Sequence, residues 1–399
     1  MAGASPTLGD VIRRFGAALL RDRSATLTPA QHAVLSTLGR CHTAALGGHL
    51  YRCDDCGAEH PAYNSCGNRH CPSCLGHKSA QWLEERAAEL LPVPYFHVVF
   101  TVPQEVAALA LGNKKEVYSI LFRAASEALL ELAEDPRHLG ASLGFLAILH
   151  TWSQTLTHHP HLHCIVPAGG LSPDRSRWVK CRGKRFLLSI EALSRLYRGK
   201  FLAYLTEAVR AGKLRFGGAT APLAEPSAFA AFRSEQRSKK WLVYAKPPFG
   251  SPEQVLKYLA RYTHRVAISD SRILRIEGDT VTFAYLDRKH GDRKRTMTLD
   301  GVEFLRRFSL HVLPKGFVRI RYFGLLANRV RADNLARCRE LLSAQAPPAP
   351  SSSSKAESPN EERHRCPTCG TGRLRRVGTL EPAPAPARDV WRPFPGDQP

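Results

Sequence analysis

The chain has no run of about 18 apolar residues, the least that would span a bilayer, and its first ten residues, Met-Ala-Gly-Ala-Ser-Pro-Thr-Leu-Gly-Asp, lack the charged and apolar regions of a secretory signal. These absences predict a cytoplasmic, nucleoid-associated protein in a reducing compartment. No internal repeat and no helicase motif are visible. Acidic residues are scarce: 35 Asp and Glu stand against 57 Lys and Arg, a formal charge of +22. That excess asks for a polyanionic partner, although charge alone does not separate nucleic acid from an acidic membrane surface. With 43% hydrophobic residues among 399 the chain can bury a substantial core, which rules out wholesale disorder and suggests roughly two to three domains.

Local signals order the chain. Thr28-Pro29-Ala30-Gln31 has the form of a capping box with proline at the first helical position, so a short helix leads into the residues that follow. From Tyr51 to His77 apolar periodicity gives way to Cys, Gly, Pro and Asn. The β-branched and aromatic stretch from Tyr95 to Val102 predicts a strand. A helix follows over 104–134, with a break near Gly112-Asn113. Gly144 to Gln154 and His161 to Ala168 predict an antiparallel strand pair, Glu191 to Lys213 a helix, and Ile273 to Leu286 a hairpin about Gly278-Asp279. The Pro-, Ala- and Ser-rich stretch from Gln345 to Glu362 reads as a flexible linker. The expected domains are a helical lead-in and zinc-binding module over 1–85, a catalytic domain over 90–342, and a linker and tail over 343–399. Short connections favour an α+β chain with an antiparallel sheet over a doubly wound one.

Eleven cysteines in a reducing compartment read as metal ligands rather than disulfides. Cys53-Asp-Asp-Cys56 and Cys71-Pro-Ser-Cys74 are two C-x2-C pairs 14 residues apart, a zinc-ribbon spacing in which each pair turns two thiolates toward one tetrahedral Zn²⁺. A module too small to fold on a core gains its folding free energy from such a metal. The two outer pairs are the expected structural zinc ligands, with Cys66 and His70 as possible substitutes. Cys366-Pro-Thr-Cys369 is half a site with no evident fourth ligand downstream.

The run His158-His159-Pro160-His161-Leu162-His163 is the densest in histidine. Alternation along a strand puts His161 and His163 on one face, about 7 Å apart, where two imidazoles can share a divalent ion. A surface cluster with no ligand is the plainer reading, and a histidine-triad nucleotide hydrolase is a competing chemistry, against which Pro160 and the zinc module count. His150 and Gln154 have the parity to supply a third ligand, and Gln154 is preferred because a hairpin would bring it opposite His161. Ser251-Pro252-Glu253-Gln254 opens a helix in which Tyr258 and Tyr262, four apart, share a face. Taken alone the pair reads as packing. Beside a metal, a tyrosine hydroxyl is a nucleophile toward phosphate.

Together the cysteine module, His161-Leu-His163, Tyr258-Leu-Ala-Arg-Tyr262-Thr-His-Arg and the basic stretch from Leu313 to Arg329 resemble the two-tyrosine HUH transposases of the insertion sequence 91 type. The resemblance implies an HUH-endonuclease-like antiparallel sheet flanked by helices, an N-terminal zinc-binding module and a disordered C-terminal tail. It implies His161 and His163 as ligands of a catalytic Mg²⁺ or Mn²⁺, Tyr258 and Tyr262 as nucleophiles, and single-stranded DNA at element ends and target as substrate. The expected activity is nicking and rejoining through a 5′-phosphotyrosine. The alternatives are a rolling-circle replication initiator or relaxase, and a non-catalytic zinc-dependent DNA-binding protein. Arg261, Arg288, Lys289, Arg293, Lys294, Arg295, Lys315, Arg319 and Arg321 are the expected phosphate contacts, with Phe317, Tyr322 and Phe323 as rings on which bases could stack.

Overall fold

In the computed structural model the described residues are all but 1–4, 23–26, 76–84, 182–187, 250–253, 256–266, 288–289, 344–364 and 384–399. Among them no helix is long and apolar enough to cross a membrane. The chain divides into two compact units, one of 1–77, 268–312 and 348–399, the other of 78–267 and 313–347.

The second unit is built on a five-stranded sheet in the order Ile320–Gly324, Gly144–Trp152, His158–Pro167, Tyr95–Thr101 and Val243–Phe249. Every neighbouring pair is antiparallel. Alternation along these strands makes two faces. One face, with Phe96, Val98, Phe100, Leu149, Leu162 and Val166, is sealed by helices Gln104–Gly112, Lys114–Glu134 and Ile190–Arg210. At about 25 cal/mol per Å² of apolar surface this packing is the main stabilising term for the unit. The break expected at Gly112-Asn113 is where the long helical stretch divides. There the Asn113 side chain donates to the Leu109 carbonyl at 3.1 Å and the Arg215 carbonyl at 2.8 Å. The opposite face buries Leu91, Tyr95, Leu146, Ile148 and Ile165 against Val255 and against Leu335, Cys338 and Leu342, which lie on helix Arg331–Ser343.

The first unit joins segments far apart in sequence. Helices Leu8–Arg21 and Pro29–Gly39 begin with capping boxes at Thr7 and Thr28. The hairpin Ile273–Glu277 with Thr280–Asp287 gains a third strand, Arg293–Asp300, and is followed by helix Gly301–Ser309. Sequence order alone assigns 268–312 to the catalytic domain. In the structure, apolar packing and hydrogen bonds join it to the N-terminal helices. The Gln31 amide donates to the Ser309 carbonyl at 2.8 Å, the Leu8 amide donates to Asp270 at 2.8 Å, and a Cβ at Gly301 would meet the Phe15 ring at 2.4 Å. A second, smaller sheet runs Leu374–Leu380, Gly48–Cys53, Glu59–Tyr63. Residues 365–383 of the expected disordered tail are therefore folded, while 384–399 lie outside the described residues.

Candidate metal centres and nucleic-acid interface

The cysteines expected to share one ion are divided between two clusters. Cys71 and Cys74 gather with Cys66 and with Cys41, while Cys53 and Cys56 gather with Cys366 and Cys369. One short strand, Glu59–Tyr63, lies between the two C-x2-C pairs in sequence; it pairs with Gly48–Cys53, which ends on the first pair, and the two pairs go to different sites. In the first cluster the sulfurs of Cys41 and Cys74 are 3.4 Å apart, those of Cys66 and Cys74 3.6 Å, and those of Cys41 and Cys71 3.6 Å. Tetrahedral Zn²⁺ with bonds of about 2.3 Å sets its sulfurs about 3.8 Å apart, so the donors fit a structural zinc. Four thiols this close cannot all ionise on their own. Hydrogen bonding to Cys66 foremost pushes Cys41 up to about 12. Burial acts to raise Cys74 as well, but hydrogen bonds from Cys41, Cys66 and Cys71 draw it down. His70 is not among the clustered ligands, and its ring hydrogen-bonds the Asn68 side chain at 3.2 Å. Cys41 leaves no signal in the sequence because it stands alone, just after helix Pro29–Gly39, with no partner at C-x2-C spacing.

The third centre lies on the second unit's sheet. His150, His161 and His163 bring one ring nitrogen each to within 4.8 Å of one another. His150 stands opposite His161 and Ile148 opposite His163 in the strand pair. His150 and His163 are 3% exposed, and His161 is half-buried. Gln154, the preferred third ligand, sits in the turn 153–157 beyond the last strand pair, Trp152 with His158. The reason is a register shift between His150 and Trp152, which a regular hairpin would not contain. The Ser153 amide donates to the Thr157 carbonyl at 3.0 Å and closes that turn past the histidines.

The tautomer of His161 follows from its neighbour. Its Nδ1 lies 2.6 Å from the His159 carbonyl, which can only accept, so Nδ1 carries the proton and the ring's lone pair is on Nε2. Metal-ligating histidines are held in this way. His163 is held by a residue outside the histidine-rich run. His97 Nε2 lies 2.7 Å from His163 Nδ1, the rings stack at 5.0 Å, and His97 is 2% exposed. A sequence signal for it exists: alternation in Tyr95–Thr101 sets His97 on the face of Val99, which pairs with His163.

Two family models match the chain. One described as "Transposase zinc-binding domain", of the insertion sequence 91 type, covers 11–102, and one described as "Putative transposase" covers 144–334. A Sinorhizobium fredii protein named "Putative transposase y4qJ" is 48% identical over 97% of this chain and 99% of its own length. The chain belongs to the insertion sequence 91 family of transposases. The transposase for insertion sequence element IS801 of Pseudomonas savastanoi pv. phaseolicola is 30% identical over 77% of this chain and 73% of its own. Among solved structures, the conjugative relaxase TrwC in complex with oriT DNA matches 62% of this chain and 72% of its own at 14% identity, with a TM-score of 0.25.

Within this transposase the zinc-domain match takes in all of the first sulfur cluster, and the other match takes in all three clustered histidines. Tyr258, Tyr262 and Arg261 lie outside the described residues, as do Arg288 and Lys289. Arg293, Lys294 and Arg295, expected to contact phosphates, begin the strand Arg293–Asp300, where Arg295 pairs with Asp287 at 3.1 Å. Lys315 is exposed and Arg319 half-buried. Arg321 lies over the rings of Phe122 at 4.2 Å and Phe317 at 5.1 Å, and burial lowers its pKa. Phe317 is 6% exposed and packs on Tyr118 and Phe122. Phe323 stacks on Phe145 at 5.3 Å, and the Tyr322 hydroxyl accepts from Arg86 at 3.1 Å with Arg331 over its ring. These rings hold the sheet to its helices. Apolar residues on a basic strand are legible in sequence, but which face is buried depends on the pairing of Ile320–Gly324 with Gly144–Trp152.

Proposed function

We propose that this transposase nicks and rejoins single-stranded DNA in rolling-circle transposition through a 5′-phosphotyrosine intermediate. The observation that carries the reading is the convergence of His150, His161 and His163 on one face of the antiparallel sheet, two of them from the His-x-His pair. These three residues would hold the divalent ion. Imidazole donors suit Mn²⁺ better than the oxygen-seeking Mg²⁺. When bound, the ion supplies Lewis-acid polarisation of the scissile phosphate.

The chain's own chemistry is the tyrosine's. Val255, three residues before Tyr258, is buried against Tyr95, Leu146 and Ile148, on the sheet face that also carries the histidines. The hydroxyl oxygen of Tyr258 or Tyr262 forms a bond to phosphorus as the bond from phosphorus to the 3′ oxygen breaks. The phenol gives up its proton and the departing 3′ oxygen gains one. A free phenol has a pKa of about 10, so cations that stabilise the phenolate lower the barrier; Lys257, Arg261 and Arg265 supply them in sequence. The new ester keeps the energy of the broken one, and an incoming 3′-hydroxyl reverses the step without any further energy source. The second tyrosine can receive the other strand.

The test is a single-stranded oligonucleotide carrying the element end, incubated with protein and Mn²⁺. Wild type should yield a covalent adduct and a free 3′-hydroxyl. Tyr258→Phe combined with Tyr262→Phe should yield neither, and an adduct from that double variant would overturn the reading.

A further inference from the structure

Four sulfurs from opposite ends of the chain meet at the smaller sheet. Cys53-Asp-Asp-Cys56-Gly57 and Cys366-Pro-Thr-Cys369-Gly370 fold into the same local turn. The Gly57 amide donates to the Cys53 carbonyl at 3.2 Å and the Gly370 amide to the Cys366 carbonyl at 2.9 Å. Both glycines take left-handed backbone, φ +69° and +75°, which other residues rarely adopt. Backbone amides point at the tail's sulfurs: Thr368 N donates to Cys366 Sγ at 3.4 Å and Gly372 N to Cys369 Sγ at 3.3 Å. Such donors favour the thiolate.

The sulfur of Cys53 lies 3.7 Å from that of Cys369, and that of Cys56 lies 3.7 Å from that of Cys366. These separations are far beyond a disulfide of about 2.05 Å and match the edge of about 3.8 Å of a tetrahedral zinc–thiolate centre. The backbone is built around the meeting. Strand Leu374–Leu380 pairs along Gly48–Cys53, with Leu374 opposite Cys53. Arg373 N donates to the Asp54 carboxylate at 2.6 Å, and Asp54 N donates to the Arg373 carbonyl at 3.1 Å. A Cβ at Gly372 would lie 2.3 Å from the Cys53 sulfur, so the tail can come this close only with glycine there. The zinc-domain match ends at residue 102 and does not include the tail pair.

We propose that Cys53, Cys56, Cys366 and Cys369 bind a second structural zinc ion, which clasps the end of the chain onto strand Gly48–Cys53. A single seven-residue strand at a sheet edge gains little by itself, while fixing it closes a loop of some 300 residues and costs entropy. Metal binding supplies the difference. Cys56 is exposed and Cys369 half-exposed, whereas three of the four sulfurs of the first cluster are buried, so the clasp should yield its ion to a chelator first.

The full chain is purified and its zinc counted by elemental analysis, alongside C366S/C369S. The variant should carry one zinc fewer. On cobalt exchange its thiolate-to-metal charge-transfer band, to which imidazole centres contribute nothing, should fall by half. An unchanged zinc count and band would overturn the proposal. Because the variant could fail by misfolding, a protease site is also placed at Ser351–Ser354 and cut after purification. The tail fragment should stay bound to the zinc-loaded protein and leave on chelation. A fragment that separates from the zinc-loaded protein, or one that stays bound after every ion is removed, would equally overturn it.

Discussion

His97 ends in a ring whose whole environment is other protein, and its contact with His163 makes it a positioning residue for the proposed centre. Residues that hydrogen-bond a metal-bound histidine typically contribute about 10–100-fold in metal affinity. His97→Ala should therefore raise the Mn²⁺ concentration for half-maximal nicking by about that factor, with the rate recovered at saturating ion. A rate that stays low at saturating Mn²⁺ would make His97 part of the fold only. At the same scale, His150→Ala should remove ion-dependent nicking and Gln154→Ala should leave the Mn²⁺ titration unchanged. If Gln154→Ala were the variant that lost it, the third ligand proposed here would be the wrong one. His161 and His163 are legible in sequence because strand parity alone sets them on one face. His150 over Gln154 is not, since one register shift between His150 and Trp152 decides it and parity admits both. Cys41 is hidden for a related reason, as a single ligand far from its partners leaves no spacing to read.

Elements with local causes are the readable ones. The capping box at Thr28, the helix break at Asn113 and the hairpin turn at Gly278, φ +51°, each depend on a few neighbouring residues. Strand Leu374–Leu380 depends on Gly48–Cys53, more than 300 positions away, so its sequence alone reads as tail. Helix Gly301–Ser309 shows what local charge adds. Asp300 caps it, accepting from the Val302 and Glu303 amides, and Glu303 pairs with Arg306 and Arg307 at 2.6 Å each. The hydrogen bond from Arg306 foremost holds the Glu303 carboxyl down at about 2 against an ordinary 4.5. Because the folded value lies below the unfolded one, the stabilisation is complete above about pH 4.5 and is lost as pH falls toward 2. Glu303→Gln should cost about 1 kcal/mol at neutral pH, given how much solvent screens these pairs. Urea melts of the two proteins at matched pH should show the gap closing below pH 4.5. A gap that persists at low pH would assign the cost to something other than the carboxylate's charge.

At the scale of the whole molecule the charge of +22 is a net figure that treats every cation alike. The structure divides them. Arg321 is engaged by the rings of Phe122 and Phe317, and Arg295 by Asp287, whereas Arg293 and Lys294 are exposed on strand Arg293–Asp300. Binding to single-stranded DNA should follow this division. Each phosphate of a single strand that the protein no longer neutralises reduces the slope of log K against log salt by about 0.7. R293A/K294A should thus lower the slope by up to about 1.4 with no change in thermal stability. Arg321→Ala should do the reverse, lowering the melting temperature through weakened packing while the slope stays put. The measurement is a salt titration of affinity for one labelled oligonucleotide, set beside melting curves of the same preparations. If Arg321→Ala changed the slope and R293A/K294A did not, the cations that meet DNA would lie among the residues packed on the sheet. The exposed strand would then be an ordinary solvated surface.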